Sequence, residues 1–138
     1  MKYLYIPLLA SGLLVASTSS NADQRNEASS AVVRPLVTRA LQDVHGKEVT
    51  MLTVEYPPGG ASPPHKHEAH TFVYVLEGEI LMQVEGGKET RLRAGETFYE
   101  SPSDIHTVSR NASKTQPARF LVFFLKNAGA PASMPVSH

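Results

Sequence analysis

Histidines in two stretches of the chain have the spacing of metal ligands. His65 and His67 are two residues apart in a segment that leads into an alternating run of β-branched and aromatic residues. Because successive side chains of a strand point to opposite faces, both imidazoles lie on one face. His106, in a second glycine-bounded stretch, can join them if the two stretches pack together. Three imidazoles in a chain without cysteine predict a divalent transition metal, namely Mn, Fe, Co, Ni, Cu or Zn.

Short strands are the elements that would position these histidines. Residues 48–56 alternate, with Leu52 and Val54 on one face, and the Gly86-Gly87 pair is typical of a tight hairpin turn. Residues 119–126 are almost continuously apolar, which predicts a strand buried on both faces. Turn residues recur about every 8 to 12 positions, and this spacing favours a sandwich or jelly roll.

The glycines and histidines of these stretches resemble the two motifs of a small single-domain cupin. The residues on the positions of the first motif are Gly59, His65, His67 and Gly78. Thr71 occupies the position at which the family carries a glutamate ligand. In the second motif Gly95 and His106 keep the family's step of eleven residues, whereas Pro102 and Asn111 each lie one residue later than in the family.

The resemblance implies a fold, a ligand set and an assembly. It covers roughly residues 47–126 and implies an all-β jelly roll, or double-stranded β-helix barrel. It implies that His65, His67 and His106 hold the metal, with no carboxylate at residue 71. Exposed sheet edges of cupins commonly pair between subunits, so we expect a homodimer that acts on a small molecule.

The first 22 residues have the pattern of a secretory signal peptide. Lys2 gives a positive start, residues 3–16 are apolar, and the small residues Ser20 and Ala22 precede a cleavage point before Asp23. The apolar stretch is shorter than the roughly 20 residues that span a bilayer, so we expect a periplasmic or secreted protein without stable membrane association. We interpret residues 23–46 as a linker and first strand, 47–126 as the barrel and 127–138 as a tail.

Composition narrows the classes of partner. Thirteen basic and thirteen acidic residues cancel, so the charge balance gives no reason to expect binding to nucleic acid or to an anionic membrane. The absence of cysteine excludes disulfides and thiol chemistry. The about 116 residues left after processing are enough for one domain with one core.

Two further side chains are candidates for catalysis. Glu100 is the candidate catalytic acid or base, because it lies in the strand before Pro102, where we expect the mouth of the barrel. His70, beside Thr71, is a candidate metal ligand, or else a group that supports a ligand or faces the substrate, although strand alternation would aim it away from the side that Thr71 faces. Asp104 is a candidate to hold His106 through its other ring nitrogen. Glu68, Glu77 and Glu100 are the carboxylates that could replace the one missing at residue 71.

Three functions are compatible with such a site. Three neutral imidazoles leave a divalent ion with its full positive charge, which makes bound water more acidic and reduction of the metal easier. The chain has a PPH-x-H stretch and in this resembles small exported cupins that are oxidoreductases of the dioxygenase type. An oxidoreductase is therefore the first interpretation. A metal-dependent isomerase, lyase or cyclase is the alternative among enzymes. A non-catalytic module of the cell envelope that binds a metal or a small ligand is the alternative from a different class.

The signal-peptide pattern predicts that the mature chain begins at or near Asp23. Signal peptidase recognises the small residues that end at Ala22, and the cleaved protein should be soluble. N-terminal sequencing of protein isolated from its native host tests this. A chain that still begins at Met1 would contradict the prediction.

Overall fold

All regular structure in residues 31–136, the part of the chain that the computed structural model describes, is β-strand. The strands are β1 (Val32–Ala40), β2 (Lys47–Tyr56), β3 (Ala61–Ser62), β4 (His65–Lys66), β5 (Ala69–Glu77), β6 (Glu79–Val84), β7 (Thr90–Arg93), β8 (Thr97–Glu100), β9 (Ile105–Asn111), β10 (Ala118–Asn127) and β11 (Met134–Pro135). Within this range no helix is long and apolar enough to cross a membrane. The predicted signal peptide and the first part of the linker lie outside the described residues.

The strands form two antiparallel sheets. One sheet has the order β1-β2-β10-β5-β8, and the other has the order β11-β4-β9-β6-β7 with β3 paired to β9. The core contains Leu52 and Val54 from β2, Val75 from β5 and Phe120 from β10. The predicted all-β jelly roll is therefore confirmed.

Strand β5 shows how the period of two sorts side chains between the core and the outside. The buried side chains are Ala69, Thr71, Val73 and Val75, and the exposed ones are His70, Phe72, Tyr74 and Leu76. Neighbouring residues of an extended strand must point to opposite faces. His70 and Thr71 consequently face opposite sides of the sheet.

Strand β10 corrects one prediction from the sequence. Its apolar run predicted burial on both faces, but burial alternates along it: Phe120, Val122 and Phe124 are buried, whereas Leu121 and Phe123 are only half-buried. The first three side chains face the barrel interior, and in the described part of the chain no second layer covers the outer face of this sheet.

The segment after β10, predicted only as a tail, returns to the barrel. Strand β11 pairs with β4, with Pro135 opposite His65. The buried Lys126 ammonium anchors the return, because it bonds the Glu48 carboxylate and donates to the Ala130 carbonyl oxygen at 2.7 Å. The C-terminal segment is thereby held against the strand that carries the first histidine.

Gly78→Ala should destabilise the fold strongly. Gly78 joins β5 to β6 with φ +74°, and an added Cβ would lie 2.6 Å from the Pro117 carbonyl oxygen and 2.9 Å from the Ala118 Cα. The positive φ alone costs an alanine about 1 kcal/mol. Because the obstacle is backbone and cannot rotate away, the free energy of unfolding should fall by about 2 to 4 kcal/mol in urea titrations.

Gly86→Ala is the matched control for this substitution. Gly86 has nearly the same φ, +76°, but no atom of the described chain lies within 4 Å of the position of its added Cβ. The free energy of unfolding of Gly86→Ala should therefore fall only by the about 1 kcal/mol that a positive φ costs an alanine. Equal losses in the two variants would contradict a close backbone approach at Gly78.

Candidate metal centre

Pairing of β4 with β9 brings the predicted histidines together. His65 and His106 are direct partners in this antiparallel ladder, and His67 follows β4 before β5 begins. The ring nitrogens that His65, His67 and His106 offer all lie within 4.8 Å of one another. The structure therefore assembles the predicted three-histidine cluster from two stretches that are distant in sequence.

Backbone carbonyls fix two of the imidazoles. The Nδ1 of His65 lies 2.9 Å from the Pro63 carbonyl oxygen, and the Nδ1 of His67 bonds the Ala132 carbonyl oxygen. A carbonyl oxygen only accepts, so each Nδ1 carries the hydrogen and donates it. Each Nε2 is then left with a free lone pair, which is the tautomer that a metal ligand needs.

His106 is the most deeply enclosed of the three. Its side chain is 3% exposed, and neither ring nitrogen has a hydrogen-bond partner among the described residues. The ring lies against Phe98, with centroids 6.1 Å apart and planes 23° from parallel. Buried polar atoms without partners cost free energy and are uncommon in native proteins. Together with His65 and His67, His106 completes a set of three imidazole donors, and this set fits a divalent transition metal.

Burial keeps the imidazoles of His67 and His106 neutral. Desolvation and, to a smaller extent, the nearby His65 lower the pKa of His67 to about 4, although the hydrogen bond to Ala132 opposes this. Desolvation, with smaller contributions from His65 and His67, lowers the pKa of His106 to about 3. At neutral pH the lone pairs of both rings are therefore free of protons, and a metal has no proton to displace.

Glu100, the predicted acid or base, lies beside the cluster. It ends β8 with its side chain pointing inward, and the residue is 1% exposed. Its Oε2 is 3.2 Å from the Nδ1 of His106 and 3.8 Å from the Nε2 of His67. Burial, with a smaller contribution from the negative charge of Asp104, raises the pKa of the Glu100 carboxyl to about 8. A cation at the cluster would oppose both effects and favour the carboxylate.

The structure does not bring His70 to the cluster. Its exposed imidazole lies on the outer face of β5, where its Nδ1 is 2.7 Å from the Tyr99 hydroxyl. The alternation that directs Thr71 inward directs His70 outward, so its predicted place as a ligand or substrate-facing group is corrected. Asp104 is not the partner of His106 either, because neither ring nitrogen of His106 has a hydrogen-bond partner among the described residues. The Asp104 carboxylate instead accepts the Ser101 backbone N–H at 2.7 Å.

The other two candidate carboxylates also lie elsewhere. Glu68 is exposed, and Glu77 is exposed with its carboxylate 3.8 Å from the Arg119 guanidinium. Of the three carboxylates considered as replacements for the one missing at residue 71, only Glu100 faces the cluster.

A cavity of about 540 Å³ opens onto the histidines. Its wall is mainly aliphatic and aromatic, with Leu52, Val73 and Phe124 among the lining residues. No lysine, arginine, asparagine or glutamine of the described chain lines it. Such a cavity suits a small molecule that is largely apolar and meets polar groups at one end.

Sequence reasoning missed two polar features of this cavity. The Tyr56 hydroxyl is bonded to the Ser62 hydroxyl at 2.7 Å and to the Ser109 hydroxyl at 2.6 Å. The inward alternation of β2 could have indicated Tyr56. The Ala132 carbonyl that holds His67 belongs to the backbone of the presumed tail, and no side-chain pattern could have indicated it.

Comparisons with known proteins agree with this fold. Residues 52–124 match the family model described as Cupin domain. Germin-like protein 3-5 of Oryza sativa subsp. japonica is 36% identical over an alignment of 89 residues, and the match covers 59% of this chain and 39% of that protein. The matched segment thus spans about two fifths of the length of this curated relative.

Two solved structures have similar folds. A structure of oxalate oxidase in complex with the substrate analogue glycolate is 28% identical with a TM-score of 0.60, and the match covers 88% of this chain and 62% of that one. The polyketide cyclase RemF of Streptomyces resistomycificus is 25% identical with a TM-score of 0.59, and the match covers 78% and 72%.

Alanine substitution of any cluster histidine should abolish tight metal binding. His65→Ala, His67→Ala and His106→Ala each remove one of three imidazole donors, and the neighbouring backbone cannot replace it. His70→Ala is the control and should keep the wild-type affinity, because His70 lies on the outer face of β5. Metal stoichiometry and affinity of the purified variants are the measurements. Loss of metal in His70→Ala as complete as in His65→Ala would contradict the assignment.

Proposed function

Because the chain belongs to the cupin family, we propose that it is a metal-dependent oxidoreductase that acts on a small molecule by dioxygenase-type chemistry. The observation that carries the proposal is the convergence of His65, His67 and His106 at the wall of an apolar cavity of about 540 Å³. The similarity to an oxalate oxidase structure supports oxidoreductase chemistry over other uses of the fold.

The three histidines would hold one divalent ion, of Mn, Fe, Co, Ni, Cu or Zn. When bound, such an ion supplies Lewis-acid activation of a coordinated oxygen and, for redox-active metals, electron transfer. The protein chain itself contributes the orientation of the ligands and an apolar environment for the reaction. The Pro63 and Ala132 carbonyls orient the imidazoles of His65 and His67, and the mainly apolar wall would disfavour water near the reacting groups.

The lining of the cavity favours a substrate other than oxalate. A small dianion would leave most of the 540 Å³ empty, and no basic side chain of the described residues lines the wall to pair with its charge. An aromatic or aliphatic body with two neighbouring oxygens at one end fits better, as in a hydroxy-ketone or a diketone. The body would contact residues such as Leu52 and Val122, while the oxygens would meet the metal.

A metal-dependent cyclase is the second candidate. The specific observation in its favour is the similarity to RemF, whose chain is matched over 72% of its length. Cyclisation needs the same Lewis-acid activation and the same apolar enclosure, but no oxidant. The two candidates therefore differ in their need for dioxygen.

Turnover with and without dioxygen tests the proposal. Metal-free protein is loaded with each ion in turn and given an aromatic hydroxy-ketone or a diketone, and oxygen uptake is followed together with product formation. We expect oxygen uptake that is lost in His106→Ala and is much slower with oxalate. Product formed equally well without dioxygen would favour the cyclase. Tight binding of these compounds without conversion under any condition would contradict the enzyme and favour a binding module.

We also propose that the protein is a homodimer in which a second copy covers the outer face of the sheet that contains β5, β8 and β10. Phe72, Tyr74 and Tyr99 are 48%, 45% and 47% exposed there. Phe72 packs against Tyr99 and Phe123, with ring centroids 5.2 and 6.0 Å away, so these rings form one continuous apolar surface. Surfaces of this kind commonly mark protein interfaces.

The dimer should dissociate when a charge is placed on this surface. Light scattering at micromolar concentration should give twice the monomer mass for the wild type and the monomer mass for Phe72→Glu. Val44→Glu is the control, because Val44 is similarly exposed, at 45%, but lies in the loop between β1 and β2. A monomeric wild type, or a dimer unaffected by Phe72→Glu, would contradict this interface.

A further inference from the structure

The residue at the family's glutamate position cannot supply a carboxylate in this chain. Thr71 is buried, and its hydroxyl donates to the Ala69 carbonyl oxygen of the same strand at 3.4 Å. A neutral hydroxyl is a weak ligand for a divalent ion compared with a carboxylate or an imidazole. The charge that would balance the metal must come from elsewhere or be absent.

Glu100 stands directly opposite this position on the neighbouring strand. In the antiparallel pairing of β5 with β8, Thr71 is the register partner of Glu100, as Val73 is of Phe98. Side chains of directly opposed residues lie on the same face of a sheet, with Cβ atoms about 4.5 to 5.5 Å apart. A side chain at residue 100 therefore approaches the same part of the interior as one at residue 71, but from the adjacent strand.

The position of the Glu100 carboxylate matches that of a ligand. Its Oε2 lies 3.2 Å from the Nδ1 of His106 and 3.8 Å from the Nε2 of His67. Two donors that bind one ion at about 2.1 Å, at angles of about 100 to 130°, are about 3.2 to 3.8 Å apart. The two separations are therefore those of donors that share an ion.

The surroundings of Glu100 leave it without another partner. Its Oε2 accepts no hydrogen bond among residues 31–136, and in this range no lysine or arginine forms an ion pair with it. A carboxylate taken out of water without compensation is costly, whereas a cation at the cluster supplies the compensation. Both observations concern the same oxygen, and both indicate an ion between Glu100 and the histidines.

We propose that Glu100 is the fourth protein ligand, so that the family's carboxylate has moved across one strand pair, from residue 71 on β5 to residue 100 on β8. The ligand set is then three imidazoles and one carboxylate, and the charge of a divalent site falls from +2 to +1. This inference rests on the proposed function only in requiring that the cluster binds a metal.

A set of four variants moves the carboxylate between the two positions. Glu100→Gln removes the charge and keeps the shape, and the double variant Thr71→Glu with Glu100→Gln places the carboxylate where the family has it. The double variant Thr71→Gln with Glu100→Gln is the matched control, with an amide of equal size at residue 71. Thr71→Glu alone adds a second carboxylate. Thermal unfolding of each metal-free variant establishes that it folds.

Binding of Mn²⁺ to the metal-free full chain is the first measurement. Glu100→Gln should weaken it by more than the about 10 to 100-fold that loss of an outer hydrogen-bond partner of a ligand costs. Thr71→Glu in the Glu100→Gln background should restore affinity to within about tenfold of the wild type, and Thr71→Gln should not. Thr71→Glu alone should not tighten binding, because the carboxylate place is already taken.

The visible absorption bands of bound Co²⁺ give a second measurement that does not depend on turnover. The bands should shift in Glu100→Gln, because a ligand is lost, and return in the variant that carries glutamate at residue 71. Unchanged bands and Mn²⁺ affinity within about threefold of the wild type in Glu100→Gln would overturn the inference. If Glu100→Gln kept the Co²⁺ bands and the Mn²⁺ affinity but lost turnover, Glu100 would be a proton carrier and not a ligand. If the wild type itself bound no metal, the proposed function would fail together with the inference.

Discussion

The site depends on one constraint, the antiparallel pairing of β4 with β9 inside a largely apolar barrel. This pairing sets His65 opposite His106, and the interior gives the ring nitrogens of His106 no hydrogen-bond partner among the described residues. Each unpartnered buried polar atom costs about 1 to 3 kcal/mol. The fold therefore carries a local cost that a bound ion would remove, and metal binding should contribute to folding stability in this cysteine-free chain.

Much of this arrangement could be predicted from the sequence because it follows from strand periodicity. The spacing of His65 and His67 predicted that both imidazoles lie on one face, and the resemblance of these residues and of the step from Gly95 to His106 to the cupin motifs implied the barrel and the three-histidine cluster. The same periodicity, applied strictly, places His70 outside, next to Tyr99. The prediction that His70 could be a ligand or face the substrate was wrong, because its place in the sequence beside Thr71 does not override the alternation of the strand.

Other features depend on tertiary contacts that no local pattern encodes. The apolar run of β10 did not reveal that its outer face lacks a covering layer in the described chain, because composition alone does not distinguish one-sided from two-sided burial. The Ala132 carbonyl that orients His67 comes from a segment with no motif. The opposition of Thr71 and Glu100 depends on the register of β5 with β8, which no position in the sequence specifies.

The departures from the family's pattern are local, and the scaffold around them is kept. The sheets bring His65, His67 and His106 together, and the pairing of β5 with β8 sets Glu100 opposite Thr71 on the inner face. The cavity beside the cluster is lined mainly by apolar side chains, and this lining is the reason why we propose a substrate other than oxalate. In the proposed function, the residues that would bind the metal therefore differ from those that would contact the substrate.

The most direct test of the central claim is an X-ray structure of the metal-loaded protein, with the ion located by anomalous scattering at its absorption edge. The account predicts one ion bonded to the Nε2 atoms of His65 and His67 and to a ring nitrogen of His106, at about 2.0 to 2.2 Å. An ion bound elsewhere on the chain, with the three imidazoles left unligated, would contradict it.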